Sequence, residues 1–132
     1  MATILAVDDQ RMMRELVKTV LEGDGHTVLL AEDGVEAMSV AREHPADLVL
    51  SDINMPNMNG ISLVSKLRRL DSYASIPILM LTTESADFKK DKARKMGANG
   101  WLQKPFDPPR LLKAVRSTLA KAGHVLPTAA GA

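Results

Sequence analysis

Short apolar runs alternate along this chain with longer stretches in which apolar residues recur every three or four positions. The short runs occupy residues 3–7, 26–31, 48–51, 77–81 and 101–103. Continuous apolar runs of that length are expected of strands buried on both faces of a parallel sheet. Between them, residues 11–22 place Met13, Leu16, Val17, Val20 and Leu21 on one helical stripe, with Gly23 and Gly25 ending it. Asp33-Gly34 opens a second helix running to about His44, with Val35, Met38 and Ala41 inward and Pro45 closing it. Ile61, Val64, Leu67 and Leu70 mark a third. Ser85 is placed to cap a fourth, over 86–96, with a thin apolar side (Phe88, Met96) and a basic one (Lys89, Lys90, Lys92, Arg94, Lys95). So thin a stripe implies a loosely held element, expected to be mobile or to face a partner. Asp107-Pro108 supplies a cap acceptor and a first-turn proline for the last helix, whose stripe is Leu111, Leu112, Val115 and Leu119.

Strand followed by helix, five times over, predicts an α/β fold: a doubly wound five-stranded parallel sheet with helices on both faces. The periodic pattern ends near residue 122, so 1–122 is expected to be one domain and 123–132 a flexible tail.

Composition changes this picture mainly by exclusion. The absence of cysteine removes disulfides, thiolate chemistry and cysteine-held metals. The first residues lack a basic region and reach acid at Asp8, which argues against a signal peptide, and no apolar stretch has membrane-spanning length. A cytoplasmic location is therefore expected, with no membrane partner. Net charge is +1, but residues 1–60 hold 11 acids against 4 Lys/Arg, and 61–132 hold 5 against 13. That asymmetry fits either solvated helix faces or an acidic pocket with a basic docking surface. No helix-turn-helix, zinc-finger or basic–aromatic pattern points to nucleic acid.

The polar residues that matter stand where apolar runs stop: Asp8 and Asp9 after the first, Asp52 after the third, Thr82 after the fourth, Lys104 after the fifth. In a parallel sheet those ends share one edge, where open α/β folds bind ligands. Each has a plainer reading: a helix cap for Asp8 or Asp9, a loop brace for Asp52, a strand-end hydroxyl for Thr82, a surface lysine for Lys104. Together they describe a pocket. Clustered carboxylates with a backbone carbonyl and waters suit Mg2+, and Lys104 and Thr82 suit phosphoryl oxygens. An aspartate there can act as nucleophile and form an acyl phosphate.

With Val7-Asp8-Asp9, Ser51-Asp52-Ile-Asn-Met-Pro-Asn-Met-Asn-Gly60, Leu81-Thr82-Thr83-Glu84, Gly97-Ala98 and Lys104-Pro105-Phe106, the chain resembles the receiver domain of two-component response regulators from residue 3 to about 121. The loop after Asp52 is most similar to that of the single-domain chemotaxis regulators. The resemblance implies a flavodoxin-like sheet of order 2-1-3-4-5 and, for the site, the following roles. Asp52 is the acceptor of a phosphoryl group from a sensor histidine kinase. Asp9 binds Mg2+ directly, Asp8 mainly through water, and the Asn54 carbonyl is a third ligand beside Asp52. Thr82 and Lys104 hold the phosphoryl oxygens, and Thr82 and Trp101 form the switch. Asn54 and Glu84 tune dephosphorylation, and the Lys104-Pro105 bond is cis. Trp101 departs from the more usual tyrosine or phenylalanine. The resemblance further implies a monomer whose output surface (Lys89, Lys90, Lys92, Arg94, Lys95, Trp101) meets a downstream protein such as a flagellar motor switch, and a phosphatase as a further partner. Such a protein is a switch that transforms no metabolite. Competing readings are a phosphate sink or phosphorelay intermediate, and an Mg2+-dependent phosphatase with an aspartyl nucleophile. Asn54 stands against the phosphatase, which wants a general acid two residues after the nucleophile. A receiver-like module working without phosphorylation, and a flavodoxin-type cofactor binder, fit less of the residue set.

Overall fold

The structure, a computed structural model, describes residues 2–83, 91, 92 and 94–123. Five strands, β1 (Thr3–Val7), β2 (Thr27–Ala31), β3 (Leu48–Asp52), β4 (Ile78–Thr82) and β5 (Gly100–Gln103), pair in parallel in the order β2-β1-β3-β4-β5. Four helices have described bounds: α1 (Arg11–Gly23), α2 (Gly34–Glu43), α3 (Gly60–Leu67) and α4 (Pro108–Lys121). Of the helix expected over 86–96, Asp91, Lys92, Arg94 and Lys95 are described and are helical. Ser85, Phe88 and, of the tail expected at 123–132, all but Gly123 lie outside the described residues.

The period of two along each strand divides the core cleanly. Leu5, Val7, Val49, Ile78 and Met80 face α2 and α3, packing with Met38, Ala41, Leu63, Val64 and Leu67. Ile4, Ala6, Leu48, Leu50, Leu79 and Leu81 face the other way, onto Val17 and Leu21 of α1 and Leu111, Val115 and Leu119 of α4. All ten residues of β3 and β4 are buried. Burial on both faces is why these strands read as unbroken apolar runs, and each buried leucine contributes roughly 1.5–3 kcal/mol.

Several expected core positions differ. Val35 is 57% exposed, and α2 instead buries Gly34, Ala37, Met38 and Ala41. Leu16 and Met96 are exposed as well. In α2 the apolar spacing was met, but Gly34 and Ala37 let the helix approach through a rotated face. The second strand begins at Thr27, one residue later than expected. His26 precedes it, buried, its Nδ1 accepting from the Ala2 N–H at 3.2 Å. The third helix ends at Leu67; Leu70 precedes a 3-10 turn, Asp71–Tyr73, that the apolar spacing did not suggest. That turn buries Tyr73, whose hydroxyl donates to the His44 carbonyl at 2.7 Å.

Candidate functional site

Four of the five strands, all but β2, deliver a candidate residue to one edge of the sheet. Asp8 follows β1, Asp52 is the last residue of β3, Thr82 the last of β4, and Lys104 follows β5. Backbone bonds hold the ends level: Asp8 N–H donates to Ala31 O, Ile53 N–H to Leu81 O and Lys104 N–H to Thr82 O. Neither Asp8 nor Asp9 caps α1. Gln10 occupies that position without a side-chain bond, and its N–H donates to Asp8 Oδ1 at 2.9 Å. Asp52 is no cap either, because Asn59 takes that role on α3 by accepting from Ser62 N–H.

Asp8 (3% exposed) and Asp52 (8%) are buried, and Asp9 is exposed. One carboxylate oxygen from each lies within 4.8 Å of the others. Lys104 reaches in from the far side: its Nζ donates to Asp8 Oδ2 at 2.7 Å and stands 3.6 Å from Asp52 Oδ2. Three carboxylates thus gather beside one ammonium, which pairs with Asp8 and Asp52. Burial pushes the Asp52 carboxyl above its ordinary range; Lys104 opposes the shift, Asp8 adds to it, the Asn54 backbone N–H opposes it and Asp9 adds to it. The uncompensated charge is about that of one divalent cation, and the donors are all hard oxygens, so the residues fit Mg2+.

The loop after Asp52 returns sharply. Gly60 N–H donates to Ile53 O at 2.7 Å, and a Cβ on Gly60 would lie 2.2 Å from the Asp52 carbonyl oxygen. Only glycine permits this approach. Asn54 is exposed on the loop, and the Lys104-Pro105 bond is cis.

Thr82 is fully buried and Trp101 half-buried. Met80 is the register partner of Trp101 and lies two residues before Thr82. Thr82 and Trp101 therefore share the sheet face that α2 and α3 cover. The Arg94 guanidinium sits 5.3 Å from the Trp101 ring centroid. Lys92, Arg94 and Lys95 are exposed; Glu84, Lys89 and Lys90 lie outside the described residues.

Two contributors were missed from sequence. Arg14 donates to the Asp8 carbonyl at 2.8 Å, bracing the strand end. Arg68 donates to the carbonyls of Tyr73, Ile76 and Gly97 and to Asn99 Oδ1. For Arg68 a signal existed, since it stands four residues after buried Val64 on the packed side of α3.

Residues 4–116 match the family described as "Response regulator receiver domain". The chain belongs to this family. The receiver is 37% identical to "Protein PilH" of Pseudomonas aeruginosa over 120 residues, covering 91% of this chain and 99% of that protein. It is 38% identical to "Chemotaxis protein CheY" of Halobacterium salinarum, covering 88% and 95%. In structure it is similar to chemotaxis response regulator CheY4 of Vibrio cholerae, with a TM-score of 0.87 at 43% identity, covering 89% of this chain and 98% of that one. The receiver spans about half the length of the transcriptional regulators it also matches. Among its described residues no helix is long and apolar enough to cross a membrane.

Proposed function

We propose that this receiver is a phosphorylation-operated switch of a two-component, chemotaxis-type system, with Asp52 as the phosphoacceptor and residues 1–122 as the working domain. The observation that carries the reading is Lys104 Nζ standing between Asp8 and Asp52 at the strand ends. In the reaction an Asp52 carboxylate oxygen attacks the phosphorus of a kinase phosphohistidine. The P–N bond breaks, its electron pair returns to the imidazole, and an acyl phosphate remains on Asp52. Asp8, Asp9, Asp52 and the Asn54 carbonyl would hold Mg2+, which would supply neutralisation of charge on the carboxylates and on the transferring oxygens. Lys104 pairs with a phosphoryl oxygen as a point charge, and Thr82 donates its hydroxyl to another. Asn54 and Glu84 set how fast water removes the group.

The new charge, roughly −1.5 to −2, draws Thr82 toward Asp52. Trp101, on the same sheet face, turns into the space that Thr82 leaves. Its cation–π partner Arg94 moves with it, together with Lys92, Lys95, Lys89 and Lys90, and this basic output surface meets an acidic site on a downstream protein. The working location is the cytoplasm, the working state a monomer, the donor a histidine kinase. The target is a motor-switch type of protein, and a phosphatase ends the signal. CheY relatives matched along nearly their whole length support the chemotaxis assignment. Acetyl phosphate with Mg2+ should label the wild-type chain at Asp52 by mass spectrometry, and Asp52→Asn should abolish the label. A label elsewhere, or one that persists, refutes the assignment.

A further inference from the structure

The loop that follows Asp52 is tied to a helix distant in sequence. Asn57 Nδ2 donates to Asp33 Oδ2 at 2.9 Å, across 24 residues. Asp33 is also the N-cap of α2, its Oδ1 accepting from Glu36 N–H at 2.8 Å. Glu36 Oε1 answers by accepting from Glu32 N–H at 3.0 Å. One carboxylate therefore serves two elements through its two oxygens. Beside this bond, Met58 lies directly over Gly34: a Cβ on Gly34 would meet Met58 Cβ and Sδ at 2.8 Å. Asn57 adopts φ 68°, a left-handed conformation that asparagine tolerates better than most side chains.

We propose that Asn57 and Asp33 are positioning residues for the phosphoryl site. Their amide–carboxylate bond, with Met58 seated on Gly34, latches the 53–60 loop to the first turn of α2 and holds the Asn54 backbone in place to serve the divalent ion. This rests on the reading that Asn54 contributes a carbonyl to that ion. Residues 53–60 are otherwise fastened by Asp52 in β3, by the Gly60-to-Ile53 bond, by an internal Met58-to-Pro56 bond and by Met55 packed against the core. The latch adds the tie from the middle of the loop to α2. Asp33 is well suited to it, because its carboxyl is held below the ordinary range first by the Glu36 N–H and then by the Asn57 amide, and so stays an acceptor.

The test uses Asp33→Ser, Asn57→Gly and the double variant of the full chain. Serine keeps an oxygen for the Glu36 N–H, so the α2 cap survives, and glycine adopts the loop's φ without strain. Two quantities are read by NMR: amide hydrogen exchange at 54–58 in metal-free protein, and shifts at 53–60 as MgCl2 is added. Each single variant should speed loop exchange and weaken the MgCl2 midpoint about threefold, the scale of one exposed hydrogen bond. The double variant should be no worse than either single one, and α2 amides should exchange as in wild type. Unchanged loop exchange, effects that multiply in the double variant, or loop and α2 loosening in step would each overturn the latch. Gly34→Ala is the independent variant: displacing Met58 should raise loop exchange alone, and no rise counts against the proposal. If wild type shows no MgCl2-dependent shifts, the metal reading fails, while loop exchange still decides the latch.

Discussion

Removing the Asp52 charge should stabilise the metal-free fold, although it removes the proposed phosphoacceptor. Asp52 lies 3.6 Å from the Lys104 ammonium, an attraction of about 4.5 kcal/mol at an effective dielectric near 20. Against this stand two carboxylates, Asp8 and Asp9, with oxygens within 4.8 Å, each repelling by at least about 3.5 kcal/mol on the same scale. Repulsion exceeds attraction, and burial adds to the cost of the charged form. Solvent around exposed Asp9 trims the difference, leaving an expected gain of about 1–2 kcal/mol for Asp52→Asn, or roughly 3–6 °C in Tm. The sign of the pH dependence follows from the raised Asp52 carboxyl. The penalty is absent below the ordinary aspartate range. It grows as pH rises through the window up to the raised folded value, and is complete above it. Urea unfolding of both proteins in EDTA should therefore show the variant ahead at neutral pH and level with wild type in acid. Millimolar Mg2+ should narrow the gap, because wild type offers one more carboxylate to the ion. A variant equal to or less stable than wild type at neutral pH in EDTA refutes the charge argument.

Two further substitutions probe the framework around the site. Gly60→Ala forces its Cβ against the Asp52 carbonyl oxygen and Ile53 Cα, both backbone atoms; it should cost about 2–4 kcal/mol in denaturant unfolding and depress Asp52 labelling. An alanine variant of wild-type stability would show that the loop is free to move. Arg68→Met strips donors from the carbonyls of Tyr73, Ile76 and Gly97 and should cost about 3 kcal/mol. Arg68→Lys should recover less than half of that, since an ammonium cannot fork to several acceptors; full recovery in the urea midpoint would contradict the account.

The strand ends were legible because a buried parallel strand has a simple signature, an apolar run that stops at the first residue with polar work. Asp8, Asp52, Thr82 and Lys104 all announce themselves in this way, and parallel topology alone brings them to one edge. Helix faces were less legible. Val35 satisfies the apolar period yet points outward, because which side of α2 packs depends on where Gly34 and Ala37 permit close approach; Leu16 is likewise exposed, beside buried Val17 on α1. Contacts between a side chain and distant backbone left almost no trace. Nothing in the run Lys66-Leu-Arg-Arg-Leu70 distinguishes Arg68 from its neighbours except its distance from Val64. The Asn57–Asp33 bond joins two residues that each look like ordinary turn formers.

Arg68 also bears on which substitutions the protein can absorb. It grips carbonyl oxygens at 73, 76 and 97, and those atoms are the same whatever side chain a residue carries. Its contacts at 73 and 76 ask for a chain path rather than particular residues, whereas at 97 a Cβ would meet Arg68 Nε at 2.9 Å, so glycine is required there. In a saturation mutagenesis screen, the exposed positions beside the path, Ser72, Ala74 and Ser75, should accept most replacements, while position 68 accepts almost none.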